Sequence, residues 1–292
     1  MLSIIICSIS SERLQELKRN IQETIGIEYE IIAIENNEKK WPIAKAYNYG
    51  AQKAKFPYLF FVHEDVMFHS VNWGGFVEHK LEEPDCGVIG FAGGKVMLRC
   101  CSGWNQYYAW VCCHLYQNDN GLARFDVYNA YLEHPFEEVV TLDGLGMFVR
   151  REIWEKYPFD ETMLTGFHCY DIDFSLRIAA TKCYKNYVCC SSQVLIQHFS
   201  QGSYNAQWFA DTIRLYKNKW SKVLPVMVDG WQLSVKEQGK YEEMISYAFM
   251  KEIFKSSSSL KGVALNNYWH HAFTWKHLRR CMKFTFKYFI KK

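Results

Sequence analysis

Three short stretches carry side chains suited to chemistry. The first is His63-Glu64-Asp65, which closes the apolar run 58–62. Acidic groups at the carboxyl end of a buried strand face the crevice where ligands of such sheets bind. A hard cation such as Mg2+ or Mn2+ takes oxygen ligands and often draws most of them from phosphates. The plain alternative is a solvated turn. The second stretch is Tyr170-Asp171-Ile172-Asp173-Phe174 with Arg177. Carboxylates in the first turn of a helix gain from its dipole, and Asp173 and Arg177 are spaced for a surface ion pair. Taken alone, this stretch reads as capping plus that pair. The third is His198, in Gln197-His198-Phe199-Ser200. Histidine can ligate a borderline cation or bond a phosphate, although a single histidine is as a rule structural.

Elements that could position these groups are legible in the hydrophobic pattern. Leu2 to Ile9, Tyr29 to Ile34 and Tyr58 to Val62 are apolar, β-branched and aromatic runs. They read as buried strands. Between them Leu14, Leu17, Ile21 and Ile25 recur at helical spacing up to Gly26, and residues 43–54 are helical and rich in Ala and Gly. Small residues let that second helix lie close on a sheet. Alternating strands and helices with both strand faces apolar predict an α/β fold, with a mostly parallel sheet covered by helices. Its ligand crevice would carry Ser8, Glu35, Asn36 and the 63–65 turn. No GxGxxG follows the first strand, which disfavours a dinucleotide fold. Further on, residues 88–91 and 187–197 read as strands, 139–148 as a strand with a glycine turn at 143–146, and 73–81, 151–157 and 171–180 as helices. Residues 99–135 show no period and read as a long irregular insertion over the cleft. Beyond 205 the chain turns helical, with an amphipathic stretch over 236–254 and a serine linker at 256–259. We expect a catalytic domain over 1–220 and a helical extension over 221–292.

Composition narrows the function classes. The 292 residues are 49% hydrophobic, 17% aromatic and 22% charged, with a net charge of +3. The chain is globular, and so small a charge gives no reason to expect nucleic acid. Eleven cysteines cannot all pair within one chain, and no CxxC is present, so neither a zinc ribbon nor a thioredoxin-like site is supported. The N-terminus has no basic leader and no apolar run of signal-peptide length. The expected compartment is a reducing cytoplasm with free thiols.

Taken in order, the motifs resemble the nucleotide-sugar-dependent glycosyltransferases of the large family two, which have the GT-A fold. The likeness is greatest to the bacterial branch linked to capsule and surface polysaccharide synthesis. The matching pieces are Ser3-Ile4-Ile5-Ile6, Tyr29 to Asn36, Ala44-Lys45-Ala46-Tyr47-Asn48-Tyr49-Gly50, His63-Glu64-Asp65, Gly144 to Glu152, Phe159-Asp160-Glu161, Tyr170 to Arg177, and His198. Together they span residues 2–220. Two departures stand out. His63 occupies the first position of the family's Asp-x-Asp metal motif, and Tyr170 the first position of its acidic base motif.

The resemblance implies an inverting transfer of a sugar from a nucleoside diphosphate sugar, most simply a uridine one, to a hydroxyl of a glycan or lipid-linked acceptor. It implies Asp171 as the base and Asp65 with His198 as ligands of Mn2+ or Mg2+. It places Ser8, Glu35, Asn36, Lys45, Asn48, Glu64, Asp143, Gly144 and Gly146 around the donor. Trp73, Trp104 and Trp110 are candidate stacking surfaces for sugars. Two rival readings are a degenerate domain that binds sugar nucleotide or glycan without catalysis, favoured by His63, and a nucleotidyltransferase, disfavoured by the missing glycine-rich loop. The tail, 270–292, carries seven basic residues and no acidic one. Lys276, Arg280, Lys283 and Lys287 share one helical face; Trp275, Leu278, Met282, Thr285, Phe286 and Phe289 share the other. Two readings stay open: a helix on the inner face of an anionic membrane, or a helix whose apolar side packs on the catalytic domain or on a second subunit of a homodimer.

Overall fold

In the computed structural model the described residues are 1–119, 122–130, 134–200, 204–256, 259–269 and 274–290. The strands are β1 (Leu2–Ser8), β2 (Tyr29–Glu35), β3 (Tyr58–His63), β4 (Val66–Phe68), β5 (Cys86–Gly90), β6 (Ala92–Gly94), β7 (Val96–Met97), β8 (Val111–Asp119), β9 (Leu122–Tyr128), β10 (Phe136–Val139), β11 (Thr141–Leu142), β12 (Gly146–Arg150), β13 (Lys185–Cys189), β14 (Ile196–His198) and β15 (Val226–Met227). The helices are α1 (Ser11–Thr24), α2 (Ile43–Lys53), α3 (Trp73–Leu81), α4 (Arg151–Lys156), α5 (Tyr170–Ala180), α6 (Ala206–Asn218), α7 (Val235–Ser256), α8 (Lys261–Trp269) and α9 (Trp275–Ile290).

A seven-stranded sheet in the order β10-β13-β5-β12-β3-β1-β2 forms the centre. β2, β1 and β3 are parallel neighbours, and β12 runs against both β3 and β5. Since β13 is parallel to β5 and β10 opposes β13, five of the seven strands share one direction. The apolar runs of β1 and β3 are buried on both faces, as a sheet covered by helices on each side requires. Gly50 shows how closely α2 lies: a Cβ there would collide with Ile5, and with Ile34 at 2.9 Å.

A second sheet, β11-β6-β8-β14-β4 with β9 on β8, stands at the carboxyl end of β3. Several expectations are refined by the two sheets. Within the 99–135 stretch, residues 99–107 are irregular as expected, but 111–119 and 122–128 form the paired strands β8 and β9. Most of β9 is exposed, so its sequence lacks the alternating apolar half of a typical strand. The expected strand over 187–197 is two strands, interrupted where Ser191 caps a short turn through the Gln193 amide. Over 139–148 the expected glycine turn is present at 143–145, and the strand around it is divided among the end of β10, β11 and β12.

The helical part has its own core of Phe209, Ile213, Met250, Ile253, Leu265, Tyr268, Cys281 and Phe284. α6 joins it to the main core, to which it contributes Leu215. Residues 257–258 of the serine linker, and 270–273 and 291–292 of the tail, lie outside the described residues. All eleven cysteines are free, and no helix among the described residues is long and apolar enough to cross a membrane.

Candidate active site

β3 delivers His63 to the crevice, and Asp65 follows in the turn to β4. β14 is antiparallel to β4 and brings His198 alongside. One ligand atom from each of His63, Asp65 and His198 lies within 4.8 Å of the others. Asp65 Oδ1 is 3.9 Å from His63 Nδ1 and 3.7 Å from His198 Nε2.

Hydrogen bonding assigns the tautomers of both histidines. Tyr170 Oη donates its only proton to the carbonyl of Gly144 at 2.9 Å. It therefore accepts from His63 Nε2, 2.6 Å away, which leaves the Nδ1 lone pair facing Asp65. Gln117, on β8, donates its amide group to the carbonyls of His198 and Ser200. Its oxygen then accepts from His198 Nδ1 at 3.2 Å. That leaves the His198 lone pair on Nε2, the atom nearest Asp65, where the Ser200 hydroxyl also meets it at 3.1 Å. A ligating histidine whose other nitrogen is held by a partner has a fixed ring and tautomer. Charge agrees with this arrangement. Burial, and then the neighbouring His198, push His63 down to about 4, so it is neutral. Burial opposes the charge on Asp65, but His198, His63 and the Ser200 hydroxyl outweigh it and keep the carboxyl below its ordinary value. Two nitrogen lone pairs and one carboxylate fit Mn2+ better than the all-oxygen preference of Mg2+.

Tyr170 links this cluster to a second one. Cys169 takes a left-handed conformation, φ 65°, and turns the chain into α5 with Tyr170 and Asp171 in its first turn. Gly144 leaves the room they need. A Cβ there would overlap the Tyr170 hydroxyl and lie 3.1 Å from Asp171 Cβ. Burial, and then the charge of Asp143, raise Asp171 to about 7, against backbone hydrogen bonds that favour its ionised form. Asp143 itself accepts from Trp104 Nε1 at 2.8 Å and from the Leu145 amide at 3.0 Å. The site thus holds a cation-ready triad and a half-buried carboxylate that titrates near neutrality.

Other expected site residues have different duties. Glu64 points away from the triad and clamps the β1–α1 turn, accepting from Ser8 Oγ at 2.5 Å and from the Ile9 and Ser10 amides. Ser8 is consumed in the same clamp. The side-chain amide of Asn36 closes on the backbone of Trp41, donating to its carbonyl and accepting from its N–H, each at 2.9 Å. Asn48 is buried, and it bonds Trp154, the backbone of Phe159 and Glu161. Gly146 is a packing glycine against Phe60 and Phe91. None of Ser8, Glu64, Asn36 and Asn48 points a spare group at the triad. Glu35 and Lys45 are exposed, with Lys45 Nζ 4.7 Å over the Trp41 ring. In the expected surface pair of Asp173 with Arg177 the carboxylate is fully buried and the guanidinium half-buried, and Asp173 also holds Lys219 and Trp220. Of the three tryptophans only Trp104 reaches the site. Trp73 stacks on Phe68 in the core, and Trp110 packs with Tyr107 and Tyr241. Gln117 was not expected, and a glutamine in a polar strand gives no sequence signal of its role.

This architecture matches known proteins. S. aureus TarS residues 1–349, solved with UDP, superposes with a TM-score of 0.50 at 13% identity, over 89% of this chain and 74% of that one. GalNAc-T7, solved with UDP, GalNAc and Mn2+, superposes with a TM-score of 0.51 at 12% identity, over 87% of this chain and 56% of that one. The present chain therefore spans little more than half the length of GalNAc-T7. At such identities the likeness establishes the fold, which is GT-A. No curated protein matches the sequence. The family model described as "Glycosyltransferase like family" matches residues 3–218. That match covers most of the chain and carries the Asp65, Asp143, Asp171 and His198 site, so the protein belongs to this glycosyltransferase-like family.

Proposed function

We propose that the protein is an inverting glycosyltransferase that moves a sugar from a uridine diphosphate sugar to a hydroxyl of a glycan or lipid-linked acceptor in surface polysaccharide synthesis. The observation that carries this reading is the placement of the His63-Asp65-His198 triad beside the Asp143-Asp171 pair, with Tyr170 between them, bonded to His63 and to the carbonyl of Gly144 and next in sequence to Asp171. Asp65, His63 and His198 would hold a divalent cation, with Mn2+ favoured. When bound, such a cation neutralises charge that develops on a leaving diphosphate. Asp171 accepts the proton of the acceptor hydroxyl as its oxygen bonds to the anomeric carbon and the bond to the diphosphate breaks. Its elevated pKa suits a base working near neutral pH. Trp104 fixes Asp143 and offers an aromatic wall for a sugar ring. The solved neighbours, with UDP in both and Mn2+ in one, support the choice of donor and metal. His63 at the motif's first position favoured a degenerate domain; its lone pair, aimed at Asp65, removes that motive.

Melting curves with UDP, GDP, CDP and dTDP, each with and without Mn2+, test this reading. A ligand at about 100 times its dissociation constant stabilises by about 2.7 kcal/mol. A UDP shift that needs Mn2+ is expected. No shift with any nucleotide would contradict the proposal, and a shift with another base alone would correct the donor.

A further inference from the structure

α9 does not dock through its apolar stripe. Its inward face is His277, Cys281 and Phe284, which enter the helical core. Glu243 of α7 fixes that orientation. It binds His277 Nδ1 at 2.5 Å and Arg280 Nη1 at 2.8 Å, and accepts from Tyr268 of α8 at 2.8 Å. The stripe that a soluble amphipathic helix would bury is left outside. Trp275 is 77% exposed, Met282 59%, Phe286 67% and Phe289 67%. Trp269 of α8 extends the patch, half exposed and donating to Thr285 of α9 at 3.2 Å. Lys276, Arg279, Lys283 and Lys287 are exposed along one edge of this stripe. The last acidic residue of the chain is Glu252.

We propose that α9 is a membrane-surface helix that seats the protein on an anionic bilayer. Its aromatic stripe would enter the interface between headgroups and acyl chains, with the lysines and Arg279 on lipid phosphates. The sixteen residues span about 24 Å, so the helix lies in the plane of the interface. Large exposed apolar patches mark interaction surfaces. Charge complementarity selects the occupant. A second copy would bring an equally basic edge and no acidic group of α9 to meet it, whereas an anionic bilayer supplies both an apolar layer and negative charge. The inference stands apart from the transfer reaction, because its test reads lipid binding alone.

The test is sedimentation of the full chain with vesicles of phosphatidylcholine, with and without phosphatidylglycerol. The wild type should sediment with the anionic vesicles and stay in solution with neutral ones. Each Lys or Arg near such a surface contributes about five-fold, so Lys276→Gln, Lys283→Gln and Lys287→Gln together should lower partitioning by about 100-fold. Trp275→Ser, Phe286→Ser and Phe289→Ser together should abolish it. Far-UV circular dichroism and the melting temperature should stay at wild-type values in both variants, because these side chains are exposed. Absence of wild-type binding to anionic vesicles would overturn the proposal, as would equal binding by the folded variants. A wild-type dimer in analytical ultracentrifugation that Phe286→Ser and Phe289→Ser dissolve would assign the face to a second copy and overturn it too.

Discussion

Asp171 and Tyr170 are adjacent in sequence and divide the work of the site. Asp171 is half-buried, with its pKa raised to about 7 from 3.8, first by desolvation and then by Asp143. A base must be ionised to act, so the transfer rate should rise with pH and level off above about 7. A flat profile between about pH 5 and pH 9 would count against this base. The same shift bears on stability. The contribution of Asp171 is fully present at low pH and is lost as pH rises from 3.8 through about 7. Asp171→Asn should therefore melt higher than the wild type at about pH 8 and alike at about pH 3, while losing at least about 100-fold in transfer. Tyr170 acts through His63. Tyr170→Phe removes the acceptor that fixes the Nε2-H tautomer and should weaken Mn2+ binding by about 10- to 100-fold. Calorimetric Mn2+ titration with UDP present reads this directly, and an unchanged affinity would free His63 from that dependence. The sequence showed Asp65, Asp171 and His198 because each follows or opens a readable element. It could not show that Tyr170 bonds His63, since they are 107 residues apart. The departures at 63 and 170 that looked like losses are one hydrogen-bonded pair.

At the scale of the element, strands were easier to read than polar side chains. β1 and β3 announced themselves because both faces are apolar, and α2 because Gly50 and its alanines demand close packing. Polar residues are ambiguous, since the same amide can meet a ligand or close a core knot. Asn48 stands at a turn of α2 where either reading holds; the Trp154 indole and the Phe159 backbone decide it. Glu64 is similar. As the clamp on the β1–α1 turn it accepts one hydroxyl and two amides. Glu64→Ala should cost about 1–3 kcal/mol of stability. Chemical denaturation with the metal removed measures this, and a neutral result would mean that the turn holds itself. Asp173 tests the opposite surprise, a pair that looked superficial and whose carboxylate is buried. Asp173→Ala removes the buried acceptor of Arg177, Lys219 and the Trp220 indole, although Lys219 keeps Asp160, and should cost about 1–3 kcal/mol. A loss of only a few tenths would return it to the surface class.

For the whole molecule, the helical extension is integrated with the catalytic part and is not a loose appendage. α6 contributes to both cores, and α9 closes the second one with Cys281 and Phe284. The basic, amphipathic character of α9 is legible in the sequence, but which side packs inward stays open there between two readings. Period analysis picks the widest apolar stripe, whereas α9 docks through His277, Cys281 and Phe284, a narrower face satisfied by Glu243. Neighbouring phenylalanines therefore have opposite fates. Phe284→Ala should destabilise by about 3–5 kcal/mol, while Phe286→Ala should stay within about 0.5 kcal/mol. Equal effects would mean that α9 docks in another rotation.

The central claim is that one triad holds the metal for the nucleotide while a separate carboxylate serves the acceptor. Calorimetry of UDP binding with Mn2+ in the wild type, Asp65→Ala and Asp171→Asn tests it most directly. The expected result is metal-dependent binding in the wild type, nearly intact binding in Asp171→Asn and lost binding in Asp65→Ala. Wild-type affinity in Asp65→Ala, indifferent to Mn2+, would contradict it.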